Sequence, residues 1–168
     1  MSMITALDAP PDLLDAEETL FVAKIREHGW HGTLVGAGDG EPQFAYSSGF
    51  WLRTGQPEMM IFGLRPTVAQ SALWAAYRAI GGGHRFVSGT RTDELFEGMS
   101  AYVFTVARRF YPTYLGWSRF FYGNDDFPCQ QIVWADRAGL FPWEAGYDRS
   151  FELSQIDLTE RGWVASLS

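Results

Sequence analysis

Between residues 30 and 62 the chain carries three short, β-rich runs, Trp30–Val35, Phe44–Phe50 and Glu58–Phe62. Two stretches of turn residues join them, Gly36-Ala37-Gly38-Asp39-Gly40 and Arg53-Thr54-Gly55-Gln56-Pro57. Neither stretch can hold the helical crossover that parallel neighbours need, so the runs must pair as an antiparallel meander. Glu58–Phe62 is compact and apolar, the pattern of a strand buried on both faces.

Helices flank this meander. Asp15 and Glu18 have capping-box spacing, and acidic residues crowd the first turn, where the helix dipole favours them. Leu14, Phe21 and Ile25 follow on one stripe with Glu18 and His28, and Gly29 ends the helix. Pro66 stands at a first helical position. Ala69, Leu73, Ala76, Tyr77 and Ile80 form an amphipathic face, and Gly81-Gly82-Gly83 stops it. Further on, the pattern predicts a short strand at His84–Val87 and a helical turn at Asp93–Glu97. Ala101–Ala107 is expected as a central strand, because both its faces are largely apolar. An aromatic helix over Tyr114–Tyr122, a strand over Cys129–Trp134 and a turn at Asp136–Gly139 complete the order. The fold class is α+β: a mostly antiparallel, barrel-like sheet covered by two or three helices. At 168 residues the chain fits one domain. Its expected bounds are residues 12–150, with a flexible arm at 1–11 and a tail at 151–168.

Charge and side-chain inventory exclude much chemistry. With 13 basic against 20 acidic residues the net charge is −7, the wrong sign for a phosphate backbone. There is one lysine, Lys24, one cysteine, Cys129, and three histidines, His28, His31 and His84. An internal disulfide and a cysteine-cluster zinc site are therefore impossible. No Walker loop or Gly-x-Gly-x-x-Gly fingerprint is present. The start of the chain lacks a basic region followed by an apolar core, and no apolar stretch approaches bilayer length. A cytoplasmic protein with no membrane or nucleic-acid partner is expected, and an unpaired cysteine agrees with that.

Several segments occur together in a characteristic order: His28-Gly29-Trp30-His31, Phe44-Ala45-Tyr46-Ser47, Gly49-Phe50, Pro57-Glu58, Phe62-Gly63-Leu64, Phe121-Tyr122, Gln131-Ile132-Val133-Trp134 and Phe141-Pro142-Trp143-Glu144. In them the chain resembles the domain of unknown function 4262 family over most of residues 17–148. Two departures stand out: Ser47-Ser48 follows Tyr46 where a threonine is expected, and the tail lacks a Gln-Pro. The resemblance implies a bacterial cytosolic protein of one domain and supplies no activity.

Candidate chemistry is sparse. His28 and His31 are three apart, but Gly29 lies between them and Trp30 begins a strand, which would aim them at opposite faces. Capping or hydrogen-bonded surface histidines are expected, with no metal. Cys129 opens an apolar strand and reads as a small buried hydrophobe. Tyr46, Ser47 and Ser48 supply hydroxyls to a ligand cleft or a sheet edge, beside Gly49. No Gly-x-Ser-x-Gly elbow accompanies them. Arg65, with Thr67, stands at a helix start and can take an anion or pair with an acid such as Glu58. Glu144, between aromatic residues, is either a desolvated acid or a salt-bridge partner.

With aromatic residues at 16% of the chain, some rings should line a groove or an oligomer interface. Two functions follow. The first is a binding domain with an aromatic-lined cleft or patch and no chemistry of its own. It would recognise a protein partner or a small planar or anionic ligand through Tyr46, Ser47, Arg65, Thr67, Trp134 and Glu144, without cofactor or catalytic residue. The alternative is a split-barrel-like oxidoreductase holding a flavin (FMN) or nucleotide near a homodimer interface. There Arg65 would take the phosphate, and Tyr46 and Trp134 would contact the ring.

Overall fold

The computed structural model describes residues 3–168, and a six-stranded sheet in the order β1-β2-β3-β6-β5-β4 forms its centre. The strands are β1 (His31–Val35), β2 (Phe44–Ser48), β3 (Glu58–Phe62), β4 (Thr90–Phe96), β5 (Met99–Thr105) and β6 (Cys129–Trp134). β1, β2 and β3 form the antiparallel meander that their short connections require. β6 joins β3 in parallel, and β5 and β4 extend the sheet antiparallel. The middle strands β3 and β6 are buried along their whole length, which accounts for their apolar runs.

Helices α1 (Ala16–His28), α2 (Phe50–Thr54), α3 (Pro66–Gly81), α4 (Tyr111–Tyr114), α5 (Gly116–Tyr122) and α6 (Trp163–Ser166) surround the sheet. The expected capping box starts α1: Asp15 accepts from the Glu18 N–H at 2.8 Å, and Glu18 accepts from the Asp15 N–H at 2.9 Å. Gly29, at φ 86, closes that helix. Strand alternation sorts the core into two faces. Ala45, Ile61, Val103 and Ile132 pack with Ala69, Leu73, Ala76 and Ile80 of α3. Tyr46, Met60, Phe62 and Cys129 pack with Phe21, Val22 and Ile25 of α1 and with Phe121 and Tyr122 of α5. A smaller cluster joins Phe104, Val133 and Phe141 to Tyr102, Trp143 and Trp163.

The structure corrects several expectations. The sheet is not closed into a barrel: β1 and β4 are its open edges, and helices on both faces bury the apolar surface that a barrel would have enclosed. His84–Val87 is not a strand, and of Asp93–Glu97, expected as a helical turn, residues 93–96 belong to β4 and Glu97 to the turn after it, the polar side chains lying along an edge. Ala101–Ala107 supplies most of β5, second from that edge. Its other face is apolar because the Phe141–Trp143 segment covers it. The aromatic helix is split into α4 and α5 at Leu115. Helix α2 occupies residues expected as extended and turn.

Residues 154–159 lie along β6 through side chains that imitate a strand. Gln155 accepts from the Trp134 N–H at 3.0 Å and donates to its carbonyl at 3.0 Å. Gln131 donates to the Ile156 carbonyl at 2.5 Å and accepts from the Leu158 N–H at 3.2 Å. Near the start, Thr5 and Asp8 cap one another and Ala6 enters the core beside α1. Among the described residues, no helix is long and apolar enough to cross a membrane.

Candidate binding cleft

The residues singled out from sequence do not meet at one cleft. Tyr46 is buried, its hydroxyl accepting from the Trp117 N–H at 2.9 Å. Ser47 is buried beside it, donating to Glu58 at 2.6 Å and accepting from the Met59 N–H at 3.0 Å. Trp134 is buried and donates its indole N–H to the Phe62 carbonyl at 2.7 Å. Arg65 and Thr67 are exposed at the start of α3, whereas Tyr46, Ser47 and Trp134 are interior. Glu144 accepts from the Phe141 N–H at 3.0 Å, tightening its own turn, and has no ion-pair partner among the described residues.

These positions do not fit the flavin arrangement. Tyr46 and Trp134 are inside the protein with their polar atoms engaged, and the sheet is open.

Glu58 is not a surface partner for Arg65. It is fully buried at the start of β3 and gathers five donors. One carboxylate oxygen accepts from Ser47 Oγ at 2.6 Å and from the Phe50 N–H at 3.1 Å. The other accepts from the Gly49 and Trp51 N–H groups, each at 3.1 Å, and from the Tyr122 hydroxyl. The N–H groups are those that the first turn of α2 leaves without helical partners. Burial pushes the Glu58 pKa up, against the opposing pull of Ser47, Tyr122 and the backbone donors. The Tyr122 hydroxyl also accepts from the Leu52 N–H at 3.2 Å, so it clamps both the carboxylate and the helix. Burial, and next the Glu58 charge, raise the pKa of Tyr122. The same two causes raise that of Cys129, paired with Glu58 across β3 and β6.

Access to solvent lies elsewhere, between α1, β1 and α3. A cleft of about 350 Å³ is lined by Lys24 and His28 of α1, Trp30, His31 and Gly32 at β1, and Gln70 and Trp74 of α3. The capped α1 stripe ends here, and Gly29 turns the chain sharply into β1, so His28 and His31 line the same cleft despite their sequence spacing.

Trp30 is only 2% exposed and packs edge-on to Phe50 and Trp74, with ring centroids 5.1 and 4.9 Å away. Its indole N–H and the Gln70 side-chain oxygen are buried polar atoms without a hydrogen-bond partner. Gly32 makes room for Gln70: a Cβ there would lie 2.4 Å from the Gln70 oxygen. Burial first, then Lys24, then His28, lower the His31 pKa. Among the described residues there is no group of three or more His, Cys, Asp or Glu side chains placed to hold a metal.

A second cleft, of about 310 Å³, adjoins the first through Lys24 and His31 and continues over Phe21, Thr33, Leu34 and Trp117. Sequence reasoning had the His28–His31 segment in hand and missed the site, because α3 supplies its far wall from more than a hundred ångströms of contour away. The one available signal was the placement of the chain's single lysine one helical turn before His28.

The molecule is thus an α+β protein with an open mixed sheet, helices on both faces and, at one sheet edge, a cleft lined by Lys24, two histidines and two tryptophans. The sequence model of a family described as a domain of unknown function, DUF4262, matches residues 24–148, and the chain belongs to that family. No curated protein and no solved structure matches the chain.

Proposed function

We propose that this chain is a small-molecule-binding domain whose site is the cleft between α1, β1 and α3. The observation that carries the reading is that two residues lining one cleft, Trp30 and Gln70, each hold a buried polar atom without a partner. A buried donor or acceptor left unpaired costs about 1–3 kcal/mol, and a ligand that reached either atom would recover part of that cost. A pocket with aromatic walls and a few convergent polar groups is the usual form of a small-molecule site.

The test is a thermal-shift and tryptophan-fluorescence screen of a metabolite library, joined to native mass spectrometry of the protein purified from cells. A ligand at a hundred times its Kd stabilises by about 2.7 kcal/mol, or roughly 5–11 °C for a domain of this size. Trp74→Ala, at a half-buried position, should weaken such a ligand about tenfold or more while the domain stays folded. The reading fails if no small molecule binds, or if those that do bind Trp74→Ala equally well.

A further inference from the structure

The chain carries a single lysine and three histidines at a net charge of −7. That lysine and two of those histidines line one cleft. An acidic molecule repels anions at long range, so a lysine and two protonatable histidines set beside an unpaired indole N–H offset that field locally. We infer that the ligand of this cleft is an anion, a carboxylate or phosphate borne on a flat aromatic molecule, seated among Lys24, His28 and His31. The inference rests on the cleft being a binding site, as proposed above.

Lys24 brings three donors on a flexible stem, and each histidine brings a ring N–H. The buried Trp30 N–H is a further donor without a partner, which an anion's oxygen can satisfy. Trp74, half-buried on α3, supplies the flat wall for a ring, with His28 edge-on to it at 6.3 Å between centroids.

The surrounding charges set the pH behaviour. On α1, Glu27 lies 3.6 Å from the His28 Nε2, and Glu17 lines the adjoining cleft. Arg53 of α2 reaches the Gly29 carbonyl at 3.3 Å, behind the turn. α3 contributes only the neutral Gln70 and Trp74 to the cleft. In the free protein burial, Lys24 and His28 all disfavour a proton on His31. A bound anion offsets the two charge effects, so binding draws a proton onto His31, and affinity falls as pH rises through the histidine range.

The test titrates the protein with benzoate, phenyl phosphate, inorganic phosphate and the neutral benzamide, read by calorimetry and tryptophan fluorescence. Benzoate or phenyl phosphate should bind at least about tenfold more tightly than benzamide. Affinity should drop as pH rises from about 5 to about 8, the range in which histidines change charge. Lys24→Gln, at an exposed position, should cost the anionic probe about tenfold and leave benzamide unchanged.

Whichever of benzoate and phenyl phosphate binds assigns the carboxylate or the phosphate. Inorganic phosphate binding as tightly as phenyl phosphate overturns the aromatic half of the inference. Benzamide matching both aromatic anions overturns the anionic half while leaving the cleft as a site. Failure of every probe, while the library screen yields ligands sensitive to Trp74→Ala, overturns the inference alone. Absence of any such ligand removes the binding reading with it.

Discussion

Glu58→Ala should be among the most damaging single substitutions in this protein. The change strips the acceptor from Ser47, Tyr122 and the N–H groups of Gly49, Phe50 and Trp51 at once. Each unmet buried donor costs about 1–3 kcal/mol. The losses do not add in full, because α2 has only five residues and half-buried Trp51 and Leu52 let water reach it as it frays. A net cost of about 3–5 kcal/mol follows, against a whole-domain stability of about 5–15 kcal/mol. At roughly 2–4 °C per kcal/mol for this size, Tm should fall by about 6–20 °C. Urea and thermal unfolding followed by circular dichroism measure both quantities. A loss below about 1 kcal/mol would refute the capping role, since even one orphaned donor costs that much.

The pH dependence of the same residue adds a signed check. Burial raises the Glu58 pKa, so the folded state holds its proton more tightly than the unfolded chain. Between the ordinary glutamate value and the raised one, the folded protein is protonated and the unfolded chain is not. Stability from this group therefore declines as pH rises through that window and is fully present below it. Asp136 acts in the opposite sense at lower pH. Backbone N–H groups, that of Leu140 foremost, depress its pKa, and its contribution is lost as pH falls. Subtracting the pH profile of Glu58→Gln from that of the natural protein isolates Glu58. A difference that rises with pH across the window would sink the account.

Three further outcomes test the surrounding structure. Gly49→Ala should cost roughly 3 kcal/mol or more in unfolding experiments, because φ is 115 and the new Cβ would lie 2.7 Å from the Gly29 carbonyl oxygen; a change within 1 kcal/mol contradicts this. Gln131→Leu should cost about 2–4 kcal/mol and speed hydrogen exchange at the Leu158 amide, since the Ile156 carbonyl and Leu158 N–H lose their partner; unchanged exchange there refutes it. Iodoacetamide should modify Cys129 only as the protein unfolds, because the thiol is buried with a raised pKa; labelling of the folded state at the rate of a free thiol would show otherwise.

What the sequence made legible was whatever local chemistry decides. The Asp15–Glu18 box, the stop at Gly29 and the Pro66 start of α3 are each set within a few residues, and each stands where expected. The meander of β1, β2 and β3 followed from connection length alone. The parallel pairing of β3 with β6 did not, because a strand 67 residues further on has no local mark of its partner. β4 was misread because Arg91, Asp93 and Glu94 lie on a polar sheet edge, where strand alternation is diluted. The fold class was thus recoverable while closure was not: a barrel and an open sheet with two covered faces demand the same apolar strands.

The site was hidden for a related reason. Tyr46, Ser47 and Trp134 drew attention as polar or aromatic residues in strands, yet their hydrogen-bonding capacity is spent on Trp117, Glu58 and Phe62. Glu58 looked like an exposed acid beside a turn, because nothing local announces that α2 will turn its first N–H groups inward. Its importance reaches the cleft through α2. The carboxylate holds the first turn of that helix, and Phe50 in that turn packs 5.1 Å from Trp30. Gly49 lets the same turn approach the backbone at Gly29 and Trp30. A buried acid that no ligand touches thus sets the position of the indole whose N–H faces no partner. Loosening Glu58 should disturb ligand affinity even in variants that stay folded, whereas loosening Gln131, on the far side of the sheet centre, should cost stability and leave affinity unchanged. Equal effects of the two on binding would mean that the cleft senses only the overall stability of the domain and not the anchoring of α2.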